Sequence, residues 1–524
     1  MNQGETPVRG GSSGEGREHL HRGAMGVSDI VFFIVAAAAP LTAVAGGQAV
    51  AYLVTGNQGL PAVFLFYGIV LALFATGYAT MSHYVTGAGA FYAYVARGLG
   101  RAAGLGTAFI ALVAYNAMQI GIYGLYGVAL TGYLNLKLGT SIDWWVVVLL
   151  TIGIIGVLGV LQIDLNAKVL GVVLAAEVFV VVLFDLAILT DPGPQGLTWS
   201  QFLPTTALEG GTLGAALVFG IASFVGFESA ALYSEEARDP RRTVARATYI
   251  AVALVAIFYA VSSWLLAVAA GPATITSPER LAAEGYTTAG APDPTTVLFI
   301  AGAERLGAWF ADVGGLFFAT SLFAALLSFH NAVARYIFAL GRERVLPAFL
   351  SRVNPRTEAP YAASLTQTAL ALAIVAVFAV LGLDPVLTLF TWLTNTGALG
   401  VVALLSLLSF SVVAFFLSDG RGESRAKRLI APLLAGAVLI VVLVLVVLNF
   451  NVLLTGDPAA PLDPLAVVLP AVVLGAGFVG LLTALFLRSR SPAVYAGIGE
   501  GGPAYRAEER TPGVESPPVP EEQR

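Results

Sequence analysis

Three acidic side chains, Glu177, Asp185 and Glu228, sit inside long apolar stretches. At such positions a charge is costly and by default marks a pathway or a proton relay facing the protein interior. Glu177 lies about ten residues into its stretch, near the middle at roughly 1.5 Å of rise per residue. It either carries a proton or bonds a neighbouring helix, and the residues alone leave both open. Asp185, eight residues on, is about 80° round the helix and closer to one end, and is read as structural. His330 and Asn331, with Ser321 and Ser328 nearby, form a second polar group. A buried His is more often a hydrogen-bonded structural residue than a proton carrier, although its titration range permits the latter. Asn116, Gln119 and Tyr123 follow helical spacing of three and four, so they share one face, toward the centre or toward a neighbouring helix. There is no cysteine, and the other histidines are only His19, His21 and His83. Thiol nucleophiles, disulfides and thiolate metal sites are therefore excluded, and no metal or other cofactor is expected.

The elements that hold these residues follow from composition. Of 524 residues, 57% are hydrophobic and 11% charged, with a mean hydropathy of +0.83, far from soluble usage of roughly a quarter charged. Apolar runs of about 20 residues cross a bilayer as helices. Twelve are expected, at about 27–55, 60–85, 102–135, 144–162, 167–190, 212–234, 244–270, 309–340, 361–381, 386–417, 429–453 and 464–487. Backbone groups facing lipid must be bonded within the segment, so the fold class is all-α. Residues 1–25 and 489–524 lack apolar runs and read as disordered tails around a twelve-helix domain at 26–488. Residues 87–100 (GAGAFYAYVARGLG) are too short to span and too aromatic for a free loop, so a re-entrant or interfacial segment is expected there. Residues 271–308 form one long connection, with a short helix expected over 295–307.

Twelve spans put both tails on one side. All but Lys137, Arg280 and Arg305 of the 27 Lys and Arg residues fall on that same side, which is therefore cytoplasmic. The expected location is the cell membrane, crossed many times, with lipid as partner and no nucleic acid. The cluster Glu235, Glu236, Arg238, Asp239, Arg241 and Arg242 is a solvated turn on this side, or a set of gate ion pairs.

Two spans carry their own interruptions. The first reads AAAAPLTAVAGGQAV, where Pro40 removes a donor and Gly46-Gly47 lower helix propensity soon after. The sixth spreads Gly214, Gly220 and Gly226 along its length. Glycine is common in membrane helices for packing alone, but clusters five spans apart match secondary transporters with inverted halves, whose broken helices bind substrate near midplane. The repeats would cover about 26–190 and 212–417, with two extra helices at about 429–487.

The stretch FGIASFVGFESAALYSEEARDPRRTVARA (219–247) resembles the sixth helix and following loop of the amino acid, polyamine and organocation permease superfamily. SFHNAVARYIFALGRERVLPAFLSRVNPRTEAP (328–360) resembles its eighth helix and loop, and GAGAFYAYVARGLG its 2–3 segment. The resemblance covers roughly 26–488. It implies an amino acid permease with a five-plus-five inverted repeat, its first and sixth helices unwound at the substrate. The superfamily's Gly-small-Gly turn in the first helix is replaced here by Ala39-Pro40-Leu41-Thr42-Ala43. Exposed amides around Thr42 to Ala45, at the start of a second half-helix whose dipole favours an anion, would take the substrate carboxylate. Carbonyls of Ala222 to Val225 would face its ammonium. The expected substrate site is thus Pro40, Thr42, Ala43, Val44 and Ala45, then Ala222, Ser223, Phe224, Val225 and Gly226, with Gln119. VLAAEVFVV aligns with a fifth-helix stretch where several members place a lysine standing in for a sodium ion; here Glu177 takes that place. Glu177, Glu228, Ser328 and Asn331 are the expected coupling or gating residues, Glu228 either capping freed amides or acting as a gate.

The resulting expectation is a secondary active transporter of amino acids or related amines, working by alternating access. The carboxylate at 177 leans the coupling toward a co-transported proton, with sodium and exchange still open. A polyamine or other organic solute is the alternative cargo. A major-facilitator transporter would show a long loop between spans six and seven, and here it is about ten residues. A channel would show a filter or rings of like charge. An enzyme would need clustered catalytic groups at a membrane face, and the chain also lacks a G-x-x-x-x-G-K loop. The apolar residues expected around the site suggest a neutral side chain on the substrate. Oligomeric state is not legible.

Overall fold

The computed structural model describes residues 26–85, 90–161, 163–193, 195–227, 240–288, 290–357 and 359–500. In chain order the helices are α1 (Val27–Ala38), α2 (Ala49–Thr55), α3 (Leu60–Ser82), α4 (Ala90–Gly98), α5 (Arg101–Leu138), α6 (Trp144–Val160) and α7 (Ile163–Thr190). There follow α8 (Pro204–Glu209), α9 (Leu213–Phe224), α10 (Pro240–Ala270), α11 (Pro272–Ile275), α12 (Pro278–Ala283), α13 (Val297–Leu306), α14 (Ala308–Arg342) and α15 (Tyr361–Val380). The last are α16 (Thr391–Ser418), α17 (Ala431–Leu448), α18 (Phe450–Thr455), α19 (Leu465–Arg490) and α20 (Pro492–Gly497). Among the described residues, eight helices carry stretches long and apolar enough to cross a membrane: α3, α5, α10, α14, α15, α16, α17 and α19. α6 and α9 are shorter apolar helices.

Burial follows the helix faces. α5, 38 residues long and so roughly 57 Å, runs through the centre and packs on α14, α16 and α19. α3 packs on α10, and α1 on α10, α14 and α7. By contrast α15 and α19 are mostly exposed along their apolar windows, as expected of helices on a lipid-facing rim. Small residues set the closest approaches. A Cβ on Gly124 of α5 would run into the Pro385 carbonyl, where a π-helical turn over Pro385–Phe390 leads into α16. Gly132, two turns along the same helix, has open space.

The segment expected to be re-entrant forms α4, a nine-residue helix lying on α5 and α16. The long connection contains α11 and α12, a two-stranded hairpin of β1 (Thr287–Thr288) and β2 (Ala291–Pro292), and α13. Asp293 orders it by accepting from the Thr295 amide at 2.9 Å and the Thr288 hydroxyl at 2.6 Å. One expectation needs correction among the described residues: in the tail read as unstructured over 489–524, α19 continues to Arg490 and Pro492–Gly497 forms α20. The residues after α20 are docked by particular bonds, the Gly499 amide to Glu343 Oε1 at 2.9 Å and an Arg101–Glu500 ion pair at 2.7 Å, with Ile498 buried. Polar anchors of this kind leave no apolar run to see in sequence.

Gly124→Ala is expected to lower the thermal midpoint in detergent, since overpacking costs about 1–3 kcal/mol. Gly132→Ala is expected to hold or raise it, because Gly is about 1 kcal/mol poorer than Ala in a helix.

Candidate substrate site

The first apolar segment breaks at Ala39, which has φ +45°, a left-handed conformation that costs a non-glycine residue about 1–3 kcal/mol. The helix resumes at Pro40, whose fixed φ suits a first helical position and which has no amide hydrogen to leave unbonded. Thr42–Gln48 then winds as a π-helix, a form frequent at functional sites. Gly46 and Gly47 fall inside that turn. Gly46 serves close packing, with Leu125 Cδ2 at 3.1 Å from where its Cβ would lie.

A break at membrane depth frees backbone groups that lipid cannot bond, and side chains from three other helices take them up. Tyr259 of α10 donates its hydroxyl to the Ala38 carbonyl at 2.8 Å. The Thr42 amide donates to Ser321 Oγ of α14 at 3.1 Å, and the two hydroxyls lie 2.9 Å apart. The Glu177 carboxyl, from α7, is buried beside the Leu41 amide and the Ser321 hydroxyl. The start of the second half-helix, where the backbone dipole favours an anion, is therefore occupied by a carboxylate of the protein itself. Glu177 Oε2 has no hydrogen-bond partner among the described residues.

The second break follows α9. Val225 turns to ψ 129° after Phe224, and Gly226 takes φ +113°, which glycine adopts without steric cost. The Val225 amide donates to the Ala222 carbonyl at 3.2 Å, and Ser223 Oγ to the Phe219 carbonyl at 3.1 Å, so both of those acceptors already have a partner. Glu228 and the cluster from Glu235 to Asp239 lie outside the described residues, as do the side chains of Arg241 and Arg242.

The two breaks meet at a cavity of about 70 Å³, well below the roughly 300 Å³ at which ligand pockets usually begin. Ala38, Ala39, Thr42, Ala43 and Gly47 line it from one side and Phe219, Ala222, Ser223 and Val225 from the other. Met118 and Ile122 of α5, Ala325 and Phe329 of α14, and Phe390, Thr394 and Asn395 complete it. Thr394 Oγ1 bonds its own helix at 2.7 Å. Asn395 is 1% exposed, yet among the described residues neither its Oδ1 nor its Nδ2 has a partner. A buried amide left unbonded is costly, so Asn395 is the group most available to a ligand.

Of the expected residues, Thr42, Ala43, Ala222, Ser223 and Val225 line the cavity, whereas Pro40, Val44, Ala45, Phe224 and Gly226 do not. Gln119 also stands outside the lining. Its Oε1 accepts from Gln367 Nε2 at 2.5 Å, and its Nε2 lies 3.5 Å from His330 Nδ1. His330 Nε2 in turn pairs with Ser364 Oγ at 2.8 Å. This buried chain ties α5, α14 and α15 together. Ser328 is buried and Asn331 half-buried on α14, and neither lines the cavity. Asp185 bonds the Ser262 hydroxyl at 2.7 Å, fastening α7 to α10, and Asn116 bonds its own helix at 2.8 Å. Sequence reading missed Asn395, Thr394 and Tyr259. The available signal was the polar run Thr391, Thr394, Asn395 and Thr396 in an otherwise apolar span. Among the described residues no group of three His, Cys, Asp or Glu could hold a metal ion.

The amino acid permease family model matches residues 26–479. An uncharacterised transporter of Mycobacterium tuberculosis is 29% identical over 209 residues, 40% of this chain and 40% of that protein. The branched-chain amino acid permease BcaP of Bacillus subtilis is 23% identical over 330 residues, 59% of this chain and 66% of its own length. The low-affinity putrescine importer PlaP of Escherichia coli is 25% identical over 205 residues, 38% and 39% of the two chains. The matched stretch thus spans well under half of the first of these relatives. A crystal structure of a mutant manganese transporter of Eremococcus coleocola superposes with TM-score 0.50 at 17% identity, covering 88% of this chain and 94% of that one, a likeness of fold alone.

Tyr259→Phe and Ser321→Ala are each expected to destabilise the protein by about 1–3 kcal/mol, by orphaning the Ala38 carbonyl or the Thr42 amide. Asn395→Ala should leave the thermal midpoint unchanged or raise it; thermal unfolding of the three variants in one detergent checks the contrast.

Proposed function

The chain belongs to the amino acid permease family of the amino acid, polyamine and organocation superfamily, a family of transporters, and on that premise we propose that it moves a small amino acid with a neutral side chain across the cell membrane by proton-coupled alternating access. In this reading all twelve apolar segments cross the bilayer, the first ten as two inverted sets of five, with both termini cytoplasmic.

One observation carries the proposal: the two helix breaks face one small cavity, and a buried carboxylate sits on the restart of the first of them. Thr42, Ser223 and Asn395 offer the cavity its polar contacts, and the rest of its wall is alanine, glycine and larger apolar side chains. No acidic residue lines it among the described residues. That favours a neutral side chain, as in the cargo for which BcaP is named, over a diamine such as the putrescine of PlaP. Glu177 as carboxylate accepts from the Leu41 amide, and taking up a proton weakens that hold. Protonation and the position of the second half-helix are thereby linked, which is what coupling requires. Substrate entry moves the walls apart, since the cavity is small.

The test is uptake of labelled neutral and basic amino acids and putrescine into proteoliposomes, with and without an inward proton gradient. Gradient-driven accumulation of a neutral amino acid is expected, reduced by Glu177→Gln to simple equilibration. Asn395→Ala is expected to lower uptake about tenfold, the value of one lost hydrogen bond to a charged group. Accumulation unchanged in Glu177→Gln would make Glu177 a structural cap, and preferential uptake of putrescine would replace the neutral cargo by a diamine.

A further inference from the structure

A second cleft, of about 1,120 Å³, shares no residue with the central cavity. It runs between α6 and α15 and ends beneath the loop joining α14 to α15. Its lower part is apolar. Gly153, Val157 and Val160 of α6 face Leu365 of α15, and eight residues from Gly153 to Leu161 give it about 12 Å of depth along the helix. Val157 is 63% and Leu365 53% exposed, so the cleft opens sideways onto the surface that lipid covers. Two glycines shape it. At Gly156 a Cβ would strike Thr368, which lets α15 close the cleft on one side, whereas at Gly153 nothing lies within 4 Å.

The upper end is basic. Arg342, Arg344 and Arg352 line it, and among the described residues no Asp or Glu does. The Arg342 guanidinium is buried and lies 5.3 Å from the centre of the Phe338 ring. Arg344 and Arg352 are exposed. By the distribution of Lys and Arg, this is the cytoplasmic face.

An apolar slot about 12 Å deep under a row of arginines matches one kind of molecule at both ends. Arginine forks fit phosphate oxygens in pairs, and basic pockets between membrane helices on the inner face recognise anionic head groups. A free phosphate would use only the basic end, and a zwitterionic lipid brings a cationic group beside its phosphate that offsets its attraction to the arginines. We propose that this cleft seats an anionic phospholipid of the inner leaflet, its phosphate at Arg344 and Arg352 and an acyl chain along α6 and α15. The proposal needs the helices to lie in a bilayer; it depends on neither the cargo nor Glu177.

Native mass spectrometry of the purified full chain, offered phosphatidylglycerol and phosphatidylcholine at equal concentration, tests it. Each arginine near a lipid surface is worth about fivefold in binding, so two give about thirtyfold. The wild type is expected to retain phosphatidylglycerol in excess by about that factor, and the Arg344→Gln, Arg352→Gln double variant to lose the excess while retaining phosphatidylcholine as before. Gly153→Leu, which fills open space without a clash, is expected to lower retention of both lipids at an unchanged thermal midpoint. Equal retention of the two lipids by the wild type would overturn the proposal. So would wild-type retention of phosphatidylglycerol by the double variant, or binding of glycerol phosphate as tight as that of the lipid.

Discussion

A helix broken inside a bilayer must find protein partners for the backbone groups it frees, because the surrounding hydrocarbon offers none. At Ala38–Thr42 those partners come from three helices: Tyr259 on α10 for the Ala38 carbonyl, Ser321 on α14 for the Thr42 amide, and Glu177 on α7 beside the Leu41 amide. The strained Ala39 persists because these neighbours over-determine it. The same contacts fix where α7, α10 and α14 stand relative to the first helix, and so fix one wall of the central cavity. A relative movement of these helices must exchange these bonds, which makes the break the natural place for a proton and a cargo to influence one another.

Asp185 with Ser262, and the chain of Ser364, His330, Gln119 and Gln367, fasten helices to one another, while Asp185 Oδ1 and Gln367 Oε1 have no partner among the described residues. Asn395 and one oxygen of Glu177 remain unbonded. The first lines the cavity and the second lies on the break, so each is placed where ligand or proton is proposed to act, although buried polar atoms without a partner among the described residues also occur elsewhere, at Gln48, Asn116 and Tyr123.

Much of this was legible in sequence. Apolar runs near twenty residues announce helices because the bilayer sets their length, and Pro40 and Gly226 point to the two interruptions. The first break itself sits at Ala39, since a left-handed alanine leaves no mark in composition, and the nearby Gly46-Gly47 pair serves a π-helical turn and close packing. Glu177 stood out as a buried acid, but its contact with Leu41 joins residues far apart in the chain. Of the amides expected to take a substrate carboxylate, Thr42 to Ala45, the first already donates to Ser321 and the second to the Ala39 carbonyl, contacts that sequence does not display. Asn395 escaped because one amide in an apolar run has no spacing that separates it from a helix–helix hydrogen bond, and the docking of Gly499 and Glu500 because its anchors are single polar bonds.

The central claim is that Glu177, at the break, exchanges a proton when cargo binds. The direct measurement is the proton taken up or released by purified protein in weakly buffered solution when the transported solute is added, read with a pH dye for the wild type and for Glu177→Gln. A proton change in the wild type that disappears in the variant, with solute binding retained, is the predicted result. The same proton change in both proteins would contradict the account.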